Sequence, residues 1–328
     1  MGIFTVEAIE RELRAAKKIA ITGHIRPDGD CIGSCTALYQ YLILNKNELS
    51  LSQIDVYLEP HGKEFNILTG TDIIRHPLDY NETYDVCILL DSSSLDRIGD
   101  SIKYFKSAKR TICIDHHITN DNFADINHVE ANASSTCEVL YNLLNKKLIT
   151  QEIAKSLYVG IVHDTGIFRH SSTSGKTMEI AADLISKGID FTQLIEETFI
   201  QRTYTQLQIL GRCLMDSRLF LAGKIVFSCI SLKTLESYNA SFTDLDGIID
   251  QLRTVKGCEV AIFIYELDTN EYKISLRSNG IVDVSKIAYI FGGGGHVKAA
   301  GCTINGSVDD VVNSLTPYIE QELSDKRS

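Results

Sequence analysis

Apolar residues at the start of the chain first recur at helical spacing and then crowd into short continuous runs. Val6, Ile9, Leu13 and Ala16 share one helix face, and Ile19-Ala20-Ile21-Thr22 follows as a β-prone run that stops at Gly23-His24. After the polar loop Arg26-Pro27-Asp28-Gly29-Asp30, the small residues Gly33, Ser34 and Ala37 lead into Leu38, Leu42 and Ile43. That pattern predicts a helix packed closely on a sheet. Further strands are predicted over Ile54 to Leu58, Tyr84 to Leu90 and Thr111 to Ile114.

From Ser134 to about Gly188 the spacing is helical again, carried by Val139, Leu140, Leu143 and Leu144, by Ile153, Leu157 and Ile161, and by Ile180, Ala181, Leu184 and Ile185. Strands alternating with helices, several of them apolar on both faces, predict an α/β domain with a mostly parallel sheet and helices on each side. A helical connector with polar residues such as Gln201, Arg202, Gln206 and Gln208 is read over 189–215. Beyond Asp216 the pattern changes to Leu219 to Leu221 and Lys224 to Ile230 around Ala222-Gly223, then Val260 to Leu267 and Tyr272 to Arg277 around Asp268-Thr269-Asn270. With helices near Leu245 to Val255, Val284 to Ile290 and Val311 to Leu323, this is a smaller α+β domain. The expected division is 1–188, 189–215 and 216–328, without repeats or low-complexity segments.

Composition narrows the function. At 328 residues and 44% hydrophobic, the chain is long enough for more than one core. No apolar run approaches the roughly 18 residues of a membrane-spanning helix. Glu7, Glu10 and Glu12 near the start do not resemble a signal peptide, so a cytoplasmic protein with no membrane partner is expected. The net charge of -11 argues against a broad basic surface gripping long duplex nucleic acid. Nine cysteines, mostly inside apolar segments and without a Cys-x-x-Cys pair, read as small core residues. Cys31 and Cys35 are four apart and near the acidic loop, yet core packing is favoured over metal ligation for them as well.

The chemistry gathers where predicted strands end. His24 closes the first, Asp91 follows Val86-Cys87-Ile88-Leu89-Leu90 directly, and Asp115-His116-His117 follows Ile112-Cys113-Ile114. In parallel sheets that edge collects ligands. Asp28 and Asp30, two apart, would project the same way from an extended loop. Asp164 ends a helical stretch just before Thr165-Gly166. Each residue alone has an ordinary role as a turn former or helix cap. Together they form a carboxylate and imidazole set that suits manganese and similar octahedral ions better than structural zinc.

These motifs resemble the DHH phosphoesterases, over nearly the whole chain. The resemblance rests on His24-x-x-x-Asp28-x-Asp30, on Asp91 within Leu90-Asp91-Ser92-Ser93, on Asp115-His116-His117, and on Asp164 within His163-Asp164-Thr165-Gly166. Phe291-Gly292-Gly293-Gly294-Gly295-His296 with Ala299-Ala300-Gly301 looks like the signature of the DHH-associated substrate-binding domain. The resemblance implies two manganese ions, with magnesium or cobalt as substitutes. One would be held by His24, Asp28 and Asp91, the other by Asp30, Asp91, His116 and Asp164, with Asp91 bridging and hydroxide as nucleophile. His117 would stabilise phosphoryl oxygens or protonate the leaving group, and Asp115 would orient the neighbouring imidazoles.

Arg277, Ser278, Gly293, Gly294, Gly295 and His296 would contact an anionic substrate, through a guanidinium, backbone N–H groups and an imidazole. The compact layout is most similar to the nanoRNase and 3'-phosphoadenosine 5'-phosphate phosphatase type, which takes short RNA or a nucleotide in a cleft between domains. Relatives that cleave cyclic or linear dinucleotides share the motifs, and a homodimer is compatible with the reading. A catalytically silent nucleotide-binding metalloprotein is the rival from another class; the competent ligand at every metal position argues against it. His170 stands where many relatives carry an aromatic residue, which leaves its contact open.

Overall fold

The computed structural model describes residues 3–325, which divide after Gln201 into two compact units. In the first, α1 (Glu7–Ala15) precedes β1 (Lys18–Thr22), α2 (Gly29–Leu44) and β2 (Gln53–Tyr57). Then come β3 (Val86–Leu90), α3 (Ile102–Ser107), β4 (Arg110–Asp115), β5 (Ile126–Val129), α4 (Thr136–Leu143), α5 (Gln151–Asp164), α6 (Gly175–Ser186) and α7 (Phe191–Ile195). The five strands run parallel in the order β2-β1-β3-β4-β5.

Both faces of this sheet are covered at its centre, which is why β1, β3 and β4 read as unbroken apolar runs. Ile19, Ile21, Ile88 and Leu90 enter the core shared with α2, α4 and α5. Ala20, Cys87 and Leu89 point the other way, among Tyr57, Tyr84 and Tyr104. Ile9 and Leu13 tie α1 to the first core, each burial contributing about 1.5–3 kcal/mol.

Helices α2 and α5 cross closely because glycines meet there. A β-carbon at Gly33 would lie 2.5 Å from the Ser156 carbonyl oxygen, and one at Gly160 would lie 2.7 Å from Asp30 Oδ1. The crossing therefore sets the depth at which α2 delivers Asp30.

The second unit holds α8 (Tyr204–Met215), β6 (Arg218–Phe220), β7 (Ile225–Ile230), α9 (Leu232–Ser237), α10 (Ile248–Leu252), β8 (Val260–Asp268) and β9 (Glu271–Ser278), followed by α11 (Val284–Ile290), β10 (Gly294–His296), β11 (Ala299–Asn305) and α12 (Val308–Asp325). Its sheet has the order β10-β11-β9-β8-β7-β6, antiparallel except for β7 with β8. Residues 189–215, read as one connector, are two separate helical pieces. Leu194 and Thr198 are buried in the first unit, whereas Ile209 and Cys213 of α8 belong to a core of the second.

Part of the glycine-rich segment is extended. Gly294, Gly295 and His296 form a short edge strand paired with Gly301, Ala300 and Ala299. Gly293 and Gly295 are needed for packing, since β-carbons there would lie 2.1 Å and 2.4 Å from the carbonyl oxygens of Gly301 and Ala299.

Candidate metal centre and anion site

Strand order reverses between β1 and β3, the point at which an open parallel sheet leaves a crevice at its carboxyl edge. His24 lies two residues beyond β1, Asp91 one residue beyond β3, and Asp115 ends β4. Asp91 turns out of the sheet with a left-handed φ of 58°, a conformation that costs a non-glycine residue and marks a position held for function. Its amide still donates to Ile114 O at 3.1 Å, so the bend begins only after the last ladder bond.

Asp28 and Asp30 do not project together, which corrects the extended-loop expectation. The chain is already helical from Gly29, because Asp28 caps α2 by accepting from the amides of Asp30 and Cys31 at 3.1 and 3.2 Å. Asp30 instead turns inward and accepts from the amides of Thr136 (2.6 Å) and Cys137 (2.9 Å) at the start of α4. A fully buried carboxylate is tolerable there because the helix amides and dipole meet it.

Backbone carbonyls fix the tautomers of two imidazoles. His24 Nδ1–H donates to Ile25 O at 2.8 Å and His116 Nδ1–H to Ala133 O at 3.4 Å, so both rings turn Nε2 into the crevice. His24 Nε2 lies 3.6 Å from Asp28 Oδ1 and 3.4 Å from Asp91 Oδ2. His116 Nε2 lies 3.0 Å from Asp164 Oδ2 and 3.7 Å from Asp91 Oδ1. Asp91 thus turns one oxygen to each imidazole. Such nitrogens beside carboxylate oxygens repel unless a proton or a cation lies between them.

The electrostatics express that demand. Burial opposes a charged His24, but Cys31, Asp28 and Asp91 outweigh it and raise the imidazole to about 12. For His116 burial is outweighed by Asp164, Asp30 and Asp91, and the pKa rises to about 10. Burial, with Asp91 and Asp164 close by, raises Asp30 well above the usual carboxylate range, and burial likewise lifts Asp164 to about 6. Asp28 goes the other way, to about 2, because His24 and two helix amides overcome its burial. A divalent cation relieves the crowded acids and takes the Nε2 lone pairs, so the donor set fits a metal. Asp30, His116 and Asp164 offer ligand atoms within 4.8 Å of one another, as do Asp91, His116 and His117.

His117 is held differently from His116. Its Nδ1–H donates to Asp115 Oδ1 at 2.7 Å, while Asp115 Oδ2 accepts from Asn120 Nδ2 at 2.8 Å. Of the two neighbouring imidazoles Asp115 bonds the ring of His117, while from His116 it accepts the backbone N–H. The His117 ring is partly exposed.

Sequence reasoning passed over Thr136 and Asn120. Thr136 Oγ1 donates to Asp91 Oδ1 at 3.0 Å. Only the helix start had a local signal: Ser135 caps α4 and stands three residues before Glu138, the spacing that announces a helix start. His170 anchors the turn after Asp164, its Nδ1 donating to Asp164 O at 3.1 Å. Gly166, Ile167 and Phe168 in that turn all have positive φ, a strained arrangement for Ile167 especially.

In the second unit, register sorts the expected anion contacts. Arg277 pairs with Ala299, and Ala299 with His296, so all three side chains share one sheet face with a methyl group between the two cationic or donor groups. Asp250 joins them, 3.6 Å from Arg277 Nε and 3.1 Å from Arg253 Nε. Ser278 points to the opposite face and is buried, so its side chain does not accompany Arg277. Asn279 clamps the carbonyls of Arg253 and Cys258.

A parallel α/β sheet with acids and imidazoles converging at its switch point is a candidate metal centre of the kind used by hydrolases. The DHH family N-terminal domain matches residues 18–161 and the DHHA1 domain matches residues 223–325. The chain thus carries a DHH family N-terminal domain followed by a DHHA1 domain and is a phosphoesterase, a metal-dependent class of hydrolase. It is 28% identical over 310 residues to the bifunctional oligoribonuclease and PAP phosphatase NrnA of Thermus thermophilus, covering 93% of this chain and 90% of that protein. It is likewise 28% identical over 295 residues to the Bacillus subtilis protein of the same name, covering 87% and 89%. An exopolyphosphatase-related protein from Bacteroides fragilis has the same fold, with a TM-score of 0.88, 26% identity and coverage of 96% and 95%. Among the described residues no helix is long and apolar enough to cross a membrane.

Proposed function

We propose that this chain hydrolyses short oligoribonucleotides and 3'-phosphoadenosine 5'-phosphate, using two manganese ions. The observation that carries the proposal is Asp91, whose two oxygens face His24 and His116 separately across the sheet's switch point. One ion would be held by His24, Asp28 and Asp91 and the other by Asp30, Asp91, His116 and Asp164. Bound there, such ions supply Lewis-acid charge to the phosphoryl oxygens and lower the pKa of water at neutral pH.

The chain's own residues do the rest. Asp115 keeps a proton on His117 Nδ1 and favours the imidazolium, whose Nε2–H would donate to a phosphoryl oxygen or to the departing oxygen. Thr136 and the start of α4 fix Asp91 and Asp30 against rotation, so little reorganisation accompanies the reaction. Arg277 and His296, on one sheet face, would contact a phosphate that is not cleaved. The substrate class is supported by the names of the relatives, which align over most of both lengths.

The test is a side-by-side assay of purified protein and manganese with a 5'-labelled RNA dinucleotide, 3'-phosphoadenosine 5'-phosphate, cyclic di-AMP and pyrophosphate. Turnover of the first two is expected. Selective hydrolysis of pyrophosphate or of the cyclic dinucleotide would overturn the substrate assignment.

A further inference from the structure

Cys31 occupies the first turn of α2, and the cap that fixes Asp28 fixes it too, since Asp28 Oδ1 accepts from its amide. Its sulfur, an imidazole nitrogen of His24 and a carboxylate oxygen of Asp91 all lie within 4.8 Å of one another. All three residues are buried, at 0%, 7% and 3% exposure. Space for the sulfur exists because the residue before His24 is glycine: a β-carbon at Gly23 would come within 2.2 Å of Cys31 Sγ. Of the other cysteines, Cys137 is also near the centre, but its thiol faces the backbone carbonyl of Asp30 at 3.7 Å. Cys35, one helical turn along, is in none of the ligand groups among the described residues.

We propose that Cys31 Sγ is a fourth protein ligand, as thiolate, of the cation held by His24, Asp28 and Asp91. This rests on the metal reading given above. The thiol proton passes to solvent as the sulfur–metal bond forms, so no oxidant or reductant is required. A thiolate makes this position softer than the carboxylate-rich position at Asp30, His116 and Asp164. The first position therefore favours cobalt or zinc, whereas the second keeps the preference for manganese.

The experiment is cobalt titration of the full chain after removal of metal by chelator, followed by absorption spectroscopy. A near-ultraviolet thiolate-to-cobalt charge-transfer band is expected, lost in Cys31→Ser and Cys31→Ala and kept in Cys35→Ser. Zinc affinity of Cys31→Ser should fall at least tenfold while its manganese affinity changes less. Visible cobalt bands without the charge-transfer band, or a band unchanged in both Cys31 variants, would overturn the proposal and leave the metal reading standing. No cobalt uptake by the parent chain would overturn both.

Discussion

Thr136 binds two of the buried carboxylates at once, its hydroxyl donating to Asp91 at 3.0 Å and its amide to Asp30 at 2.6 Å. Thr136→Val keeps the amide contact and removes the hydroxyl. Manganese affinity and turnover should each fall about 10–100-fold, as for other residues that orient metal ligands. Calorimetric titration and steady-state rates check this. Unchanged affinity would mean that Asp91 needs no tether.

Gly160 faces Asp30 and Cys137 across the helix crossing. Gly160→Ala places a methyl group 2.3 Å from Cys137 Sγ and 2.7 Å from Asp30 Oδ1. The overpacking should destabilise the fold by about 1–3 kcal/mol and weaken metal binding, as read by thermal unfolding with and without manganese. Gly175→Ala, where a β-carbon meets open space, is the control.

Asp164 gives the metal-free protein a recognisable pH dependence. Burial raises its pKa from 3.8 to about 6, so the folded state holds its proton more tightly than the unfolded chain does. Its contribution is fully present below about 3.8 and is lost as pH rises through about 6. Chelator-treated protein should therefore lose stability relative to Asp164→Asn across that window. Manganese should reduce the loss in the parent chain. Parallel pH profiles for the two metal-free proteins would contradict the assignment.

On the second sheet, Arg277 and Ser278 are adjacent in sequence and opposite in direction. Arg277→Gln should raise KM for nucleotide substrates by tenfold or more with little change in kcat, whereas Ser278→Ala should leave KM within about twofold. His296→Ala should resemble Arg277→Gln. Equal effects of Arg277→Gln and Ser278→Ala would show that the shared-face argument fails.

Much of the candidate metal centre was legible because its residues sit at the ends of apolar runs, where both the strand and its stopping point are visible in one segment. His24, Asp91 and Asp115 are of this kind. Asp28 and Asp30 were placed in the wrong local structure, since Pro27-Asp28-Gly29 reads as a turn while Asp28 acts as a helix cap. Thr136 was hidden because its contacts reach 45 and 106 residues back along the chain. Strand β5, half-exposed at the sheet edge, lacks the apolar run that announced its neighbours. Strands β10 and β11 were concealed by glycines and alanines whose small size serves close backbone packing.

In the proposed mechanism Asp91 joins two cation positions in one catalytic centre. The most direct measurement counts manganese bound per chain and turnover of 3'-phosphoadenosine 5'-phosphate in the parent and in Asp91→Ala, with circular dichroism confirming the fold. Two ions and rapid hydrolysis are expected in the parent, and weakened binding at both positions with no turnover above background in the variant. Near-normal manganese-dependent hydrolysis by Asp91→Ala would show that Asp91 does not bridge two catalytic ions.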